Sequence, residues 1–206
     1  MSILLQYIAF HLYRDHNEPM IQAPLPLHRF LVVGSTSRNA GKTSFSRNII
    51  KTFGPDIIAV KITIITPGQG CPHGEGGCGV CSSLRLPYEI SEETDREGHK
   101  DTAQLLKAGA RRVYWLRVRK NAVAEGLKAL LSVIDSQTPI LCESNSIIRH
   151  IAPGLYIQLK PKGRKGQKES ASELADRADL IVETTPEGSD FDMSRLSFGP
   201  SGWELD

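Results

Sequence analysis

The sequence predicts a three-layer α/β domain with a mostly parallel sheet over about residues 28 to 185. Short runs of β-branched apolar residues alternate with segments whose apolar residues recur at helical intervals. This alternation is typical of crossover units, which place helices on both faces of a parallel sheet. The chain has 206 residues, of which 40% are hydrophobic and 23% charged. This composition is typical of one globular domain and excludes collagen-like, coiled-coil and disordered classes.

The elements follow in order along the chain. The first apolar run is followed by a Gly/Ser/Asn turn and a helix, and later runs alternate with helices in the same way. One helix ends at Gly109, and the next has Val123, Leu127 and Leu130 at helical spacing. Strands are predicted at 29–33, 57–62, 112–118, 139–142, 155–159 and 180–183, and helices at 42–53, 100–108, 121–134 and 170–177.

The two ends of the chain lie outside this pattern. Residues 1–19 precede a second methionine, Met20, and are predicted to form an N-terminal extension, while residues 186–206 are predicted to form a polar tail. No run approaches the roughly 20 apolar residues of a membrane span, and the N-terminus lacks the features of a secretory signal. We therefore expect a cytoplasmic protein. The net charge of +2 gives no reason to expect a nucleic-acid or membrane-surface binder.

The most informative motif lies between the first strand and the first helix. It reads Gly34-Ser-Thr-Ser-Arg-Asn-Ala-Gly41-Lys42-Thr43-Ser44. In this context backbone N–H groups and the positive end of the helix can surround phosphate oxygens. Lys42 can reach the β- and γ-phosphates, and the Thr43 hydroxyl can bind Mg²⁺. The strict phosphate-binding pattern has glycine at position 36, where this chain has Thr36. The alternative interpretation of the segment is an N-capped turn with no phosphate-binding role. The predicted nucleotide-binding residues are Gly34, Arg38, Asn39, Ala40, Gly41, Lys42, Thr43 and Ser44.

Two carboxylates and a second lysine are candidates for completing this site. Glu143 follows an apolar run and is predicted to contact Mg²⁺ directly or through water, unless it caps the next helix. Asp101 opens a predicted helix and has plain capping as its alternative role. The predicted catalytic residues are Lys42, which would neutralise phosphate charge, and Asp101 or Lys61, which would orient water or a second substrate.

Three of the four cysteines lie within eleven residues, in a glycine-rich segment at 67–83. Together with a nearby histidine they could hold tetrahedral zinc or an iron–sulfur cluster. A reducing compartment favours metal binding over a disulfide, and a reactive thiol pair or incidental cysteines are the alternatives. Because the segment follows the second strand, we expect nucleotide state and metal occupancy to be coupled. The predicted ligands are Cys71, Cys78, Cys81 and His73.

Several motifs together carry a family resemblance. They are the segment 34–44, Ile58-Ala-Val-Lys61, Gly98-His-Lys-Asp101-Thr102 and Lys107-Ala-Gly-Ala110. In combination they resemble the MobB family, the P-loop proteins of molybdopterin-guanine dinucleotide biosynthesis. The resemblance covers about residues 29–118 and implies a P-loop NTPase fold, GTP or ATP bound with Mg²⁺, a homodimer, and a role in assembling or delivering a molybdenum cofactor. The matching positions are Lys42, Thr43, Lys61 and Asp101.

The leading hypothesis is a slow, Mg²⁺-dependent nucleoside triphosphatase that assists metal-cofactor assembly or delivery together with other biosynthesis proteins. One alternative is a small-molecule kinase or ATP-dependent ligase on the same fold. Another is a metal-sensing protein that binds nucleotide without hydrolysing it.

Overall fold

A seven-stranded sheet forms the centre of the protein. The computed structural model describes residues 23–37, 39–66, 84–163 and 174–206. The strands of the sheet lie in the order β3-β4-β2-β5-β1-β6-β7. They are β1 Leu25–Ser35, β2 Ile58–Ile65, β3 Tyr88–Glu92, β4 Arg112–Arg119, β5 Ile140–Glu143, β6 Ile151–Pro161 and β7 Leu180–Thr184.

All neighbouring strands are parallel except β3, which pairs antiparallel with β4. Strand β1 lies between β5 and β6. The chain leaves β1 towards β2 on one side and later returns to β6 on the other. In sheets of this kind, ligands bind at the carboxyl ends of the strands where the connections diverge in this way. The topology therefore favours a site at the carboxyl end of β1.

Helices cover both faces of the sheet. They are α1 Lys42–Phe53, α2 Asp101–Lys107 and α3 Val123–Ser132. Buried side chains of α1 and α2 join the apolar cluster on one face, and those of α3 join the cluster on the other. The predicted α/β fold with a mostly parallel sheet is confirmed, as is the helix at 42–53.

Strand β3 has no counterpart in the predicted elements. It is five residues long and only Tyr88 and Ile90 are apolar, so the alternating pattern is too short to stand out. Across the pair with β4, Arg117 bonds Glu89 at 2.5 Å, and Arg112 bonds both carboxylate oxygens of Glu92. Cross-strand side-chain pairs of this type favour an antiparallel edge strand.

The C-terminal residues contain more than the predicted polar tail. They form an antiparallel hairpin of β8 Leu196–Gly199 and β9 Gly202–Leu205. Trp203 is buried, packs on Phe53 at a ring distance of 4.9 Å, and donates its indole N–H to the carbonyl of Arg29. Sparse aromatic residues near a Gly-Pro-Ser-Gly turn give little local signal, because their burial depends on residues far away in sequence.

Some predictions lie outside the described residues. These are the N-terminal extension at 1–19, the cysteine-rich segment at 67–83, and the first part of the predicted helix at 170–177. None of the helices among the described residues is long and apolar enough to cross a membrane.

Candidate functional site

The candidate site is centred on the connection from β1 to α1. Asn39 and Gly41 both adopt left-handed backbone conformations, with φ of 57° and 81°. The carbonyl of Gly41 accepts the N–H of Phe45 at 2.9 Å, so the helix starts directly after it. Within the described residues no side chain caps the start of α1, and its first turn carries no acidic residue. The first N–H groups of this 12-residue helix are therefore available to an anion.

Neighbouring strands hold both ends of this loop. The N–H of buried Ser35 donates to Oδ1 of Asn145 at 2.9 Å, and its hydroxyl donates to the carbonyl of Ser37 at 2.8 Å. At the other end, the hydroxyl of Thr184 donates to the carbonyl of Ala40 at 3.1 Å. These bonds fix the loop to the end of β5 on one side and to β7 on the other.

Gly34 lies within β1 and not in the loop. A Cβ added there would lie 2.8 Å from the Tyr156 hydroxyl oxygen and 2.9 Å from a ring carbon of the same residue. Its observed role is thus to make room for the Tyr156 ring. Ser44 lies exposed in the first turn of α1, and Arg38 lies outside the described residues.

Lys42 points back into the loop. Its Nζ donates to the hydroxyl oxygen of Ser35 at 2.7 Å. Burial lowers the pKa of Lys42, and the charge of Lys61 lowers it further. The charges of Glu143 and Asp101 act in the opposite direction. The ammonium therefore lies beside uncapped N–H groups, where a phosphate could replace its contact with Ser35.

Sheet register places Lys61 and Glu143 side by side. Glu143 of β5 is level with Val33 of β1 and with Lys61 of β2, and Lys61 is level with Trp115 of β4. Since side chains alternate along a strand, residues level with Val33 lie on the face that α1 and α2 cover. The Nζ of Lys61 forms an ion pair with Asp101, the first residue of α2.

Two carboxylates converge on Thr43. Its hydroxyl oxygen lies 3.4 Å from Oε2 of Glu143. Burial acts to raise the pKa of Asp101, but the hydrogen bond and charge of Lys61, together with Thr43 and Lys42, hold it below its usual value. Asp101 is therefore an anion at neutral pH.

Glu143 is the most constrained carboxylate of the group. It is 4% exposed, and its Oε1 has no hydrogen-bond partner among the described residues. Burial and the charge of Asp101 raise its pKa. The nearby Ser46 hydroxyl and the charges of Lys61 and Lys42 oppose this increase in pKa. Ser46 Oγ and Glu143 Oε1 are not hydrogen-bonded to each other in the described structure. A buried carboxylate oxygen without a donor is costly unless a cation or water meets it.

This donor set fits Mg²⁺. The hydroxyl of Thr43 and the carboxylates of Glu143 and Asp101 are the oxygen ligands that Mg²⁺ prefers, and Oε1 of Glu143 is left to be satisfied. The described residues hold no cluster of three or more His, Cys, Asp or Glu side chains. A Mg²⁺ ion at this point would thus keep waters and phosphate oxygens as further ligands, as it usually does.

The structure brings together most of the predicted site residues that it describes. Asn39, Ala40, Gly41, Lys42 and Thr43 form the loop and the start of α1, and Lys61, Asp101 and Glu143 face them. The prediction of zinc or an iron–sulfur cluster falls on Cys71, His73, Cys78 and Cys81, all outside the described residues.

Sequence reasoning missed three polar residues here, namely Ser35, Ser46 and Asn145. Asn145 could have been found by the argument that selected Glu143, since it follows the same strand at the same sheet edge. Ser35 carries no local signal because its partner Asn145 follows a different strand, and Ser46 carries none because it acts on Glu143 only in the folded protein.

The comparisons with known proteins leave the family open. No model of a known protein family matches this chain, and no curated protein matches it either.

Proposed function

We propose that this protein binds GTP or ATP with Mg²⁺ in a P-loop site and hydrolyses it slowly. One observation carries the proposal. Lys42 and Thr43, at the start of an uncapped helix, converge with the buried Glu143 at the carboxyl end of adjacent parallel strands. This is the arrangement that phosphate recognition by a P-loop needs.

Each residue has a role that follows from its position. The loop and helix N–H groups bind the β- and γ-phosphates, and Lys42 exchanges Ser35 for a phosphate oxygen. Thr43 and Glu143 would hold Mg²⁺, which supplies charge neutralisation when bound. Asp101, ionised and paired with Lys61, would orient the attacking water by accepting a hydrogen bond from it. Catalysis of this kind is mainly positioning and electrostatics.

The proposed biological role is assistance in the assembly or delivery of a metal cofactor, such as a molybdenum cofactor, by a cytoplasmic homodimer acting with other biosynthesis proteins. Its support is the motif resemblance over residues 29–118 and the cysteine-rich segment at 67–83. That segment is proposed to hold zinc or an iron–sulfur cluster.

A second candidate function is transfer of phosphate, or ligation, onto a small acceptor. It is supported by a groove that opens beside Lys61 and is lined in part by Trp115 and Lys100. Mass spectrometry of reaction products separates the two candidates, because only the second yields a phosphorylated or ligated acceptor.

The test of nucleotide binding is the Lys42→Ala variant with Lys51→Ala as its matched control. Lys51 is an exposed lysine in the last turn of the same helix. Loss of charge-assisted bonds to phosphate should weaken the affinity for Mg²⁺-bound fluorescent GTP or ATP about 10- to 100-fold. The control should bind as the wild type does, and circular dichroism checks that both variants fold. Unchanged affinity of Lys42→Ala would contradict the proposal.

A further inference from the structure

A groove lies at the β3 edge of the sheet, next to the proposed nucleotide site. Its walls include Ser91 and Glu93, Lys100 and Thr102 at the start of α2, and Trp115 and Arg117 of β4. Lys61 connects the groove to the phosphate site. Its Nζ lies 6.0 Å from the centre of the Trp115 ring and is paired with Asp101, which in turn interacts with Thr43.

Trp115 presents a partly exposed aromatic surface in this groove. Its indole N–H donates to the hydroxyl of Thr63 on β2 at 3.0 Å, which holds the ring across the neighbouring strand. The guanidinium carbon of Arg117 lies 5.1 Å from the ring centre. The polar groups around the ring are therefore already placed, and the part of the ring that remains exposed lines the groove.

The acidic side chains of the groove are engaged, whereas one cation is not. Glu93 accepts from the N–H groups of Thr94 and Asp95 and from the hydroxyl of Thr102 at 2.6 Å. Glu92 is bound by Arg112 through two hydrogen bonds. Lys100 has no hydrogen-bond or ion-pair partner among the described residues, so its ammonium is the group available to a ligand anion.

We propose that this groove binds a second substrate consisting of a planar aromatic or heteroaromatic ring with an anionic group, the ring on Trp115 and the anion at Lys100. The role of this ligand as a second substrate rests on the proposed function, since the ligand would lie beside the nucleotide. The binding itself is separately measurable.

The two tryptophans of the chain make the test direct. Trp115 and the buried Trp203 give two indole N–H signals in an NMR spectrum of the full chain labelled with ¹⁵N-tryptophan, and the Trp115→Phe variant assigns them. The probe is 1-naphthyl phosphate, with 1-naphthol and inorganic phosphate as partial probes. We expect saturable movement of the Trp115 signal with 1-naphthyl phosphate, at least about tenfold weaker binding of 1-naphthol, and no movement with phosphate.

Variants separate the groove from the phosphate loop. Lys100→Ala should weaken the binding of 1-naphthyl phosphate about tenfold or more. Lys107→Ala, an exposed lysine at the other end of α2, should leave it unchanged. Lys42→Ala should keep groove binding while its nucleotide affinity falls about 10- to 100-fold. An unmoved Trp115 signal, equal binding by Lys100→Ala or 1-naphthol, or loss of the shift in Lys42→Ala would overturn the inference.

The same measurements distinguish the two proposals. If fluorescent nucleotide binds but the Trp115 signal stays unmoved, the groove inference fails and the proposed function stands. If the Trp115 signal moves but no nucleotide binds, the proposed function fails and the groove remains a binding site.

Discussion

At the scale of single residues, Glu143 shows that the site is built at the expense of stability. Its carboxylate is buried with one oxygen that lacks a donor among the described residues, and burial raises its pKa. A raised pKa means that the folded protein holds this proton more tightly than the unfolded chain does. The stability from protonated Glu143 is therefore fully present below the pKa of the unfolded carboxyl and is lost as pH rises through the folded pKa.

The Glu143→Gln variant tests this sign. Without metal or nucleotide, it should unfold with a free energy higher than that of the wild type by about 1 to 3 kcal/mol at pH 8. The difference should shrink as the pH falls towards 5, because the wild-type carboxyl then gains its proton. Urea unfolding in EDTA at several pH values measures both.

The control for this prediction is Glu183→Gln, since Glu183 is an exposed carboxylate on β7. It should change the unfolding free energy little at any of these pH values. With Mg²⁺ and nucleotide present, Glu143→Gln should unfold with a lower free energy than the wild type, because that variant loses a proposed metal ligand. Glu183→Gln should still match the wild type. A constant difference between Glu143→Gln and wild type across the pH range would contradict the assigned shift.

Residues differ in how far sequence alone can locate them. Lys42, Thr43 and Glu143 were predictable because each follows a strand or opens a helix in a recognisable order. Ser35 was not, because its role depends on Asn145, which lies 110 residues away in sequence. Trp115 was not, because its place in a groove beside the edge strand β3 depends on the folded sheet.

At the scale of elements, the β8–β9 hairpin completes the apolar face that α1 and α2 cover. Trp203 and Leu196 join that face, and Trp203 packs edge-on against Phe53 at the end of α1. Gly154 and Gly202 allow the close approach of the hairpin, since a Cβ on either would lie within 2.2 Å of the His28 carbonyl oxygen. The hairpin is thus part of the same folding unit as the helix that carries Lys42 and Thr43.

Trp203→Ala should therefore destabilise the whole protein. Removal of a buried aromatic side chain costs about 3 to 5 kcal/mol, and urea unfolding followed by circular dichroism measures it. Leu86→Ala, at a position 65% exposed, should change the unfolding free energy by less than about 0.5 kcal/mol. A small loss for Trp203→Ala, with the hairpin melting separately from the sheet, would show that the hairpin is an independent element.

Elements with strong periodicity were predictable, and the others were not. Helix α1 matches its prediction because its apolar residues repeat over three turns. Strand β1 extends beyond the predicted 29–33 at both ends, because its pairing with β6 continues through polar residues to Ser35. Edge strands and hairpins are defined by their partners, so β3, β8 and β9 are visible only in the folded protein.

At the scale of the whole molecule, the topology places the phosphate site and the groove next to each other on the face of the sheet that α1 and α2 cover. Strands β1 and β5 deliver the phosphate site, and β2 carries Lys61 between that site and the groove. The cysteine-rich residues 67–83 connect the end of β2 to the start of β3, so both anchors of that segment belong to the groove side of the sheet. Binding of a metal by this segment would act on strands that border the nucleotide site.

We therefore expect metal and nucleotide to alter each other's affinity. Coupling between sites in one protein typically changes affinity about 5- to 150-fold, and thermodynamic linkage makes the factor equal in both directions. The first measurement is the zinc and iron content and the absorption spectrum of anaerobically purified wild type. The second is the affinity of that protein for GTP and ATP before and after metal removal. The Cys78→Ser/Cys81→Ser variant should bind nucleotide with the same affinity whether or not it is treated to remove metal. Equal affinities in loaded and stripped wild type would contradict coupling, and absence of both metals would contradict a metal site at Cys71, Cys78 and Cys81.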